Sequence, residues 1–204
     1  MVIYRCKIWL GGFLINNREN NYVYIIVNIR DKIRLKMIID YRNLNILDAE
    51  KIRRWRNNQI KILRQNEIIK RDEQIKYFKK NILSNNAKLD LFAIDLDKKL
   101  IGYGGLVNIS KKFKTAEISF LVDDSINHNS KFYKKIFLDF LNFIKKYSFR
   151  IKKLRRLHTE TFSFRKKHIK ILESTGFKLE GIMKMHIVKN NRIYDSLIHG
   201  FLKN

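Results

Sequence analysis

Two residues with proton-transfer chemistry lie close together in the second half of the sequence. His158 and Glu160 are two positions apart in a stretch with strand character, and such side chains face the same side of a sheet. A carboxylate in that position could orient an imidazole for general acid–base chemistry. Pairs of this kind are more often structural, so both interpretations stay open.

The other imidazoles and the single thiol do not form a metal site. His128, His168, His186 and His199 lack the i, i+4 partner or the carboxylate spacing that is typical of zinc ligands. Cys6 is the only cysteine, which excludes an intrachain disulfide and a cysteine-built metal site. The sequence therefore predicts no metal, and it favours a reducing compartment, which we expect to be the cytoplasm.

The chain is strongly basic, with 44 Lys and Arg against 19 Asp and Glu and a formal charge of +25. This charge would attract polyanions, but an AT-rich coding sequence would produce the same bias toward Ile, Lys, Asn, Tyr and Phe without proline. The basic residues form no stripe interleaved with aromatic residues, so nucleic acid is not an expected partner. No apolar run approaches the ~20 residues of a membrane-spanning helix, and no membrane span is predicted.

The first 36 residues differ from the rest of the chain. Two apolar runs, residues 8–15 and 22–29, flank a polar stretch at residues 16–21. They predict either an extra β-hairpin or, slightly favoured, sequence upstream of a true start at Met37. A chain that begins at Met37 is accordingly expected to fold like the full chain.

From Met37 onward, strand and helix signals alternate within a single predicted α+β domain, residues 37–204. Alternating apolar residues predict strands, and apolar residues three or four apart predict amphipathic helices. The predicted strands are residues 38–47, 89–95, 100–109, 115–122, 155–162, 177–188 and 192–201, the last two joined by a turn at Asn190 and Asn191. The predicted helices are residues 49–57, capped by Asp48, and residues 71–83, 131–147 and 165–174.

Three motifs in this domain resemble the GNAT superfamily of N-acetyltransferases. Residues 48–57, DAEKIRRWRN, are similar to the D-A-x-x-I-x-x-W-R-N opening of the branch that contains ribosomal-protein and amino-sugar acetyltransferases. Residues 116–123, AEISFLVD, are similar to the central strand that holds acyl-CoA, and residues 171–181, ILESTGFKLEG, resemble the family's C-terminal helix–Gly-Phe–strand segment. The resemblance implies a mixed, mostly antiparallel central sheet flanked by helices.

The resemblance also implies acetyl-CoA as co-substrate. Backbone groups of Phe120, Leu121 and Val122 would hold the pantetheine arm where the central strand splays from its neighbour. A following helix N-terminus would bind the pyrophosphate, and its candidate residues are Asn127, His128, Asn129, Ser130, Lys131 and Tyr133. The glycines of the family's Gln/Arg-x-x-Gly-x-Gly/Ala loop are missing here, so a non-catalytic GNAT-like binding module that has lost CoA remains the alternative.

The implied chemistry is acetyl transfer to a primary amine. Glu117 matches the glutamate that in many family members accepts the amine proton, whereas Leu172 replaces the family's frequent tyrosine acid. Tyr133, His158 and Ser174 are the candidate leaving-group acids, and His158 is taken as the second catalytic residue.

The predicted acceptor residues are Trp55, Arg56 and Tyr103, which border the acceptor side in this fold. Trp55 could stack on a ring or pack in the core, and Arg56 could grip a phosphate. A nucleotide-linked amino sugar is the first expected acceptor, because the charge of the chain favours an anion, and a protein N-terminus is the second.

Overall fold

A computed structural model describes residues 38–203 except residues 85 and 129, together with the backbone of three short strands in the first 37 residues. These strands are β1 (Cys6–Trp9), β2 (Gly12–Ile15) and β3 (Val23–Ile25), and they form an antiparallel sheet in that order. Residues 1–37 form one unit and residues 38–204 form another. The two interpretations of the first segment stay predictions.

The second unit contains one sheet and the helices that flank it. Its strands are β4 (Ile39–Asn43), β5 (Asp90–Leu96), β6 (Lys99–Ser110), β7 (Thr115–Val122), β8 (Arg156–Phe162), β9 (Lys178–Lys189) and β10 (Arg192–Leu202). Its helices are α1 (Asp48–Asn58), α2 (Arg71–Tyr77), α3 (Asp124–His128), α4 (Ser130–Lys146) and α5 (Lys166–Ser174), and π-helical turns extend α2 over Phe78–Ile82 and α4 over Tyr147–Ile151. The predicted fold class is confirmed.

The sheet has the order β4-β5-β6-β7-β8-β10-β9, and only β7 and β8 run parallel. Strands β5, β6 and β7 form the predicted antiparallel meander. The parallel ladder is short, because it joins only residues 115–117 to residues 156–158. Beyond Glu117 and His158 the two strands separate, which opens the centre of the sheet.

The two faces of β7 pack against different layers. Ile118, Phe120 and Val122 face α4, and the ring of Phe120 lies 4.7 Å from that of Phe137. Leu121 faces the opposite layer, where it belongs to the core cluster formed with α1. Because side chains alternate along a strand, Glu117 and Ser119 share the face of Leu121. The alternation read from the sequence therefore puts the polar residues of β7 on the α1 side.

Two local predictions differ from the structure. The first strand stops at Asn43, and the side chain of Asp48 does not cap α1 as predicted. Instead, its carboxylate accepts hydrogen bonds from both terminal nitrogens of Arg42 and from the Asn45 N–H. Asp48 therefore shapes the loop before the helix. The short helix α3, between β7 and α4, was not predicted.

Strands β9 and β10 form a hairpin at one edge of the sheet. Its turn has positive φ values at Asn190 and Asn191, which asparagine tolerates well, and the predicted turn is confirmed. The register of the pair shifts at Met185, which has a φ of 52°. The carboxylate of Asp195 accepts the Met185 N–H at 2.9 Å. No helix among the described residues is long and apolar enough to cross a membrane.

Candidate active site

The gap between β7 and β8 holds a small cavity of about 90 Å³, called here the inter-strand cleft. Glu117, Ser119 and Phe120 contribute to its wall from β7, and Glu160 contributes from β8. Helix α5 closes it with His168 and Leu172, among others. Because the two strands are no longer paired here, their facing backbone groups can bond to a ligand that enters the cleft.

A larger cavity of about 670 Å³, the basic groove, continues from the cleft. The two cavities share Ile62, Arg165 and His168. The Lys and Arg residues along the groove are Lys61, Arg165, Lys166 and Lys167, and Asp124 is the one carboxylate among its described lining residues. The groove is therefore suited to an extended anionic ligand.

A cluster of three side chains lies where the groove meets the cleft. The hydroxyl of Tyr133 is 2.7 Å from Nδ1 of His168, and Nη2 of Arg165 lies 3.4 Å from the same nitrogen. The ring of His168 stacks on Phe137 at 4.2 Å. Burial lowers the pKa of His168 well below its usual value, and the nearby cation of Arg165 adds to the shift. His168 is therefore a neutral imidazole at pH 7.

A third cavity of about 410 Å³, the aromatic pocket, lies on the α1 side of the sheet. Tyr77 and Phe78 at the end of α2 line it, together with Tyr103 of β6. Arg56 also lines the pocket and donates to the Tyr103 hydroxyl at 3.0 Å. Ser119 lines both this pocket and the inter-strand cleft, so the two cavities meet at β7.

Glu117 is buried beside Ser119, with 5% of its surface exposed. Its Oε2 accepts a hydrogen bond from Asn108 Nδ2 at 2.8 Å, and its Oε1 accepts one from Arg64 Nη2. Asn108 has a φ of 52° where the register of β6 and β7 shifts, and such bulges re-aim side chains. Arg64 also donates to Glu160 at 3.3 Å. One guanidinium thus joins the two carboxylates of the cleft.

The predicted acyl-CoA clamp lies at the separating end of β7. The side chain of Phe120 packs on α4, and those of Leu121 and Val122 are buried on opposite faces. The carbonyl of Val122 accepts a hydrogen bond from Gln59 Nε2 at 2.7 Å. Backbone contacts to a ligand at these three residues remain a prediction, and the carbonyl of Val122 already has one partner.

The predicted pyrophosphate residues are distributed over α3 and the start of α4. Asn127, His128, Ser130 and Tyr133 line the basic groove, whereas Lys131 is exposed and is not among its lining residues. Asn129 lies outside the described residues. Four of the six predicted residues therefore share one cavity.

Of the predicted acceptor and acid residues, some line a cavity and others do not. Arg56 and Tyr103 line the aromatic pocket, but Trp55 is 3% exposed, packs with Leu121 and does not line it. The contacts of Trp55 favour the core-packing alternative. His158 is in register with Glu117 but is not among the residues that line the cleft, and burial lowers its pKa.

Sequence reasoning missed Arg64, Ser119 and Arg165, and it treated His168 only as a residue without metal-ligand spacing. His168 carried a usable signal, because it shares the apolar face of α5 with Ile171 and Leu172. Arg64 carried none, since residues 63–70 have no regular structure. The described residues contain no group of three or more His, Cys, Asp or Glu that could hold a metal ion.

Comparisons with known proteins agree with this architecture. The family described as "Acetyltransferase (GNAT) domain" matches residues 41–198. The sequence has no match among curated proteins. The family match spans well over half of the chain.

Solved structures with the same fold include a spermidine N-acetyltransferase from Vibrio cholerae in complex with CoA and spermine. It has a TM-score of 0.70 and 22% identity, over 80% of this chain and 95% of that chain. The dodecameric structure of the Vibrio cholerae spermidine N-acetyltransferase has a TM-score of 0.68 and 22% identity, over 80% and 93%. A GNAT-family acetyltransferase from Bacillus anthracis has a TM-score of 0.63 and 18% identity, over 80% and 94%.

At these identities the likeness to solved structures establishes the fold. The neighbours named by substrate are spermidine acetyltransferases, so the predicted branch of ribosomal-protein and amino-sugar enzymes is not shown. The family match carries the activity class, because GNAT acetyltransferases use acetyl-CoA as co-substrate. The chain belongs to the GNAT acetyltransferase family and is an acetyl-CoA-dependent N-acetyltransferase.

Proposed function

We propose that this enzyme acetylates a primary amine and that Glu117 accepts the proton of that amine. The observation that carries the proposal is the position of Glu117. It is buried where β7 and β8 separate, on the same face as Ser119, which lines both the cleft and the aromatic pocket. A donor from the groove and an acceptor from the pocket would meet beside this carboxylate.

The basic groove is the proposed site of acetyl-CoA. Its pyrophosphate would lie against the start of α4, where free backbone N–H groups favour an anion. Arg165, Lys166 and Lys167 line the same groove from the start of α5. Their positive charge would compensate for the absence of the family's glycines in the loop before α4. The pantetheine arm would then follow the unpaired edge of β7 at Phe120, Leu121 and Val122 into the cleft.

The reaction forms a C–N bond and breaks the C–S bond of the thioester. Glu117 takes the proton of the incoming ammonium, and the neutral amine then attacks the carbonyl carbon. The departing thiolate gains a proton, which balances the second proton that the nitrogen loses on becoming an amide. Leu172 lines the cleft and cannot supply one. The Tyr133 hydroxyl, 2.7 Å from Nδ1 of His168, is the better placed donor, because Tyr133 lines the basic groove that continues from the cleft, whereas His158 lines neither cavity.

A nucleotide-linked amino sugar remains the first proposed acceptor. Arg56 pairs with Tyr103 and Gln65, and in the described part of the chain it forms no ion pair with a carboxylate, so its charge is available for a phosphate. A polyamine is the second candidate. Glu73 lines the aromatic pocket and Glu117 and Glu160 line the cleft, and the named structural neighbours act on spermidine. No contact singles out a protein N-terminus.

One pair of measurements tests the proposal. Acetyl-CoA should raise the unfolding midpoint, because a ligand that binds only the folded state stabilises it. Release of CoA thiol should then require an amine, and an amino-sugar nucleotide, spermidine and a short peptide form the acceptor panel. No stabilisation at millimolar acetyl-CoA would favour the non-catalytic binding module instead.

A further inference from the structure

Arg64 occupies an unusual position for a cation in a site that must receive another cation. Its Nη2 bonds to Oε1 of Glu117, and its Nη1 lies 3.3 Å from Oε2 of Glu160. Both carboxylates line the inter-strand cleft, and Arg64 lines it too. The guanidinium therefore sits between the proposed base and the second carboxylate of the cleft.

The exposure of the three groups is unequal. The side chains of Glu117 and Glu160 are 7% and 13% exposed, whereas that of Arg64 is 56% exposed. Two buried carboxylates without a cation would be unfavourable, so one cation must remain near them. Arg64 itself can return to water at little cost, because most of its side chain is already hydrated.

The chain around Arg64 is fixed independently of that side chain. Lys189 donates to the carbonyl of Gln65 at 2.9 Å and to that of Ile60 at 3.3 Å. The Gln65 side chain is held by Arg56 at 3.1 Å. The side-chain hydrogen bonds recorded for Arg64 within the described residues go only to the two carboxylates. The side chain can therefore leave the cleft without disturbing the segment that carries it.

We propose that Glu117 and Glu160 form the binding subsite for the acceptor ammonium and that Arg64 is an intramolecular competitor for this subsite. The inference rests on the proposed function. An incoming ammonium replaces the guanidinium between the two carboxylates and then gives its proton to Glu117. While Arg64 is bound, Oε1 of Glu117 is occupied, so the enzyme favours amines that bind strongly enough to displace it.

The first test needs no acceptor of known identity. Propylammonium chloride is added to the full-length protein at pH 7, potassium chloride of equal ionic strength is the control, and unfolding midpoints are measured. In Arg64→Ala we expect a saturable rise of about 3–6 °C at roughly ten times Kd, against little change in the wild type. Arg64→Gln, which keeps most of the side-chain length, should behave in the same way. Arg64→Ala/Glu160→Gln should lose the rise.

Arg54→Ala is the matched control, because Arg54 is exposed on α1 and, among the residues that the structure describes, forms its ion pair with Glu50. Equal stabilisation of the wild type and both Arg64 variants, or none in any of them, would overturn the inference.

A kinetic measurement separates this inference from the proposed function. With an acceptor that supports turnover, Arg64→Ala should lower the KM of the amine about tenfold, which corresponds to about 1.4 kcal/mol, and leave the Kd of acetyl-CoA unchanged. If no amine in the panel is acetylated while propylammonium still stabilises Arg64→Ala, the proposed function fails and the subsite stands. If turnover occurs and Arg64→Ala changes neither KM nor propylammonium binding, the subsite alone fails.

Discussion

The basic groove and the aromatic pocket both adjoin the inter-strand cleft, and they are built in different ways. The groove continues from the cleft that the backbone opens where β7 separates from β8, and it passes the start of α4. The pocket is formed by side chains from α1, α2 and β6, among them Arg56, Tyr77 and Tyr103. A backbone-defined site survives sequence change, whereas a side-chain-defined site changes with each substitution.

This difference explains why the acetyl donor is identified and the acceptor is not. The family match identifies acetyl-CoA, and its proposed site adjoins a cleft that the fold creates. The acceptor depends on the side chains of the pocket, which the fold does not specify. The inter-strand cleft and the aromatic pocket meet at Ser119, which lines both, and Glu117 lines the cleft.

The largest effect is expected at that meeting point. Glu117→Gln keeps the size of the side chain but removes the base, so turnover should fall by about 100- to 10,000-fold while the Kd of acetyl-CoA changes little. The wild-type rate should rise with pH, and the variant should recover part of its loss at alkaline pH, where the amine is already neutral. Steady-state kinetics and calorimetry measure the two quantities. Glu50→Gln on α1 is the control, and near-normal turnover of Glu117→Gln would remove Glu117 from the mechanism.

The groove can be weakened without changing the pocket. Arg165→Ala should raise the Kd of acetyl-CoA about 10- to 100-fold, because charge-assisted hydrogen bonds contribute about 1.5–3 kcal/mol. The KM of the amine should stay within about twofold. Lys170→Ala is the matched control, since Lys170 is exposed on the same helix and does not line the groove. An equal loss in both variants would mean that only the overall charge matters.

The pocket can be altered without changing the groove. If the acceptor carries a phosphate, Arg56→Ala should raise its KM about tenfold, the equivalent of one hydrogen bond to a charged group. If the acceptor is a polyamine, the same change should lower KM, because a repelling cation is removed. Competition assays with both acceptor classes show whether Arg56→Ala raises or lowers the KM of the acceptor. A changed Kd of acetyl-CoA in Arg56→Ala would show that the pocket and the groove are not independent.

The smallest effect concerns the wall of the groove. The folded-state pKa of His168 lies below its unfolded value, so the unfolded chain binds a proton that the folded chain does not. Stability should therefore be full above about pH 6.5 and fall below it, by at most about 1.4 kcal/mol per pH unit. His158, whose pKa is also lowered, contributes with the same sign. Urea unfolding between pH 7 and pH 5.5 measures the slope, which His168→Gln should reduce; an unchanged slope would contradict this assignment.

Much of the fold could be predicted because its elements have regular periods. The alternation in β7 and the helical spacing in α4 were both sufficient to place those elements, and the asparagine turn between β9 and β10 was also predicted. Helix α3 was missed because it has only 5 residues, too few for a helical pattern to emerge.

The site could be predicted only in part. Glu117 and the Phe120–Val122 stretch were predicted because one contiguous motif resembles the family's central strand, and their roles stay predictions. Arg64 lies 53 positions from Glu117 in the sequence, and no local pattern reports a contact over that separation. Trp55 shows the converse problem, because the same aromatic side chain suits a ligand platform and a core, and only burial decides between them.

The irregularity at Met185 has a consequence for the behaviour of the protein at high concentration. Strand β9 spans 12 residues at the edge of the sheet and exposes Leu179, Ile182, Met185 and Val188. A straight edge of this length would be a template on which strands of other molecules could add. The register shifts at Met185 and again between Leu179 and Gly181, which divides the edge into shorter stretches, and Asp195 accepts the Met185 N–H. These breaks in the register therefore act against the addition of strands from other molecules at this edge.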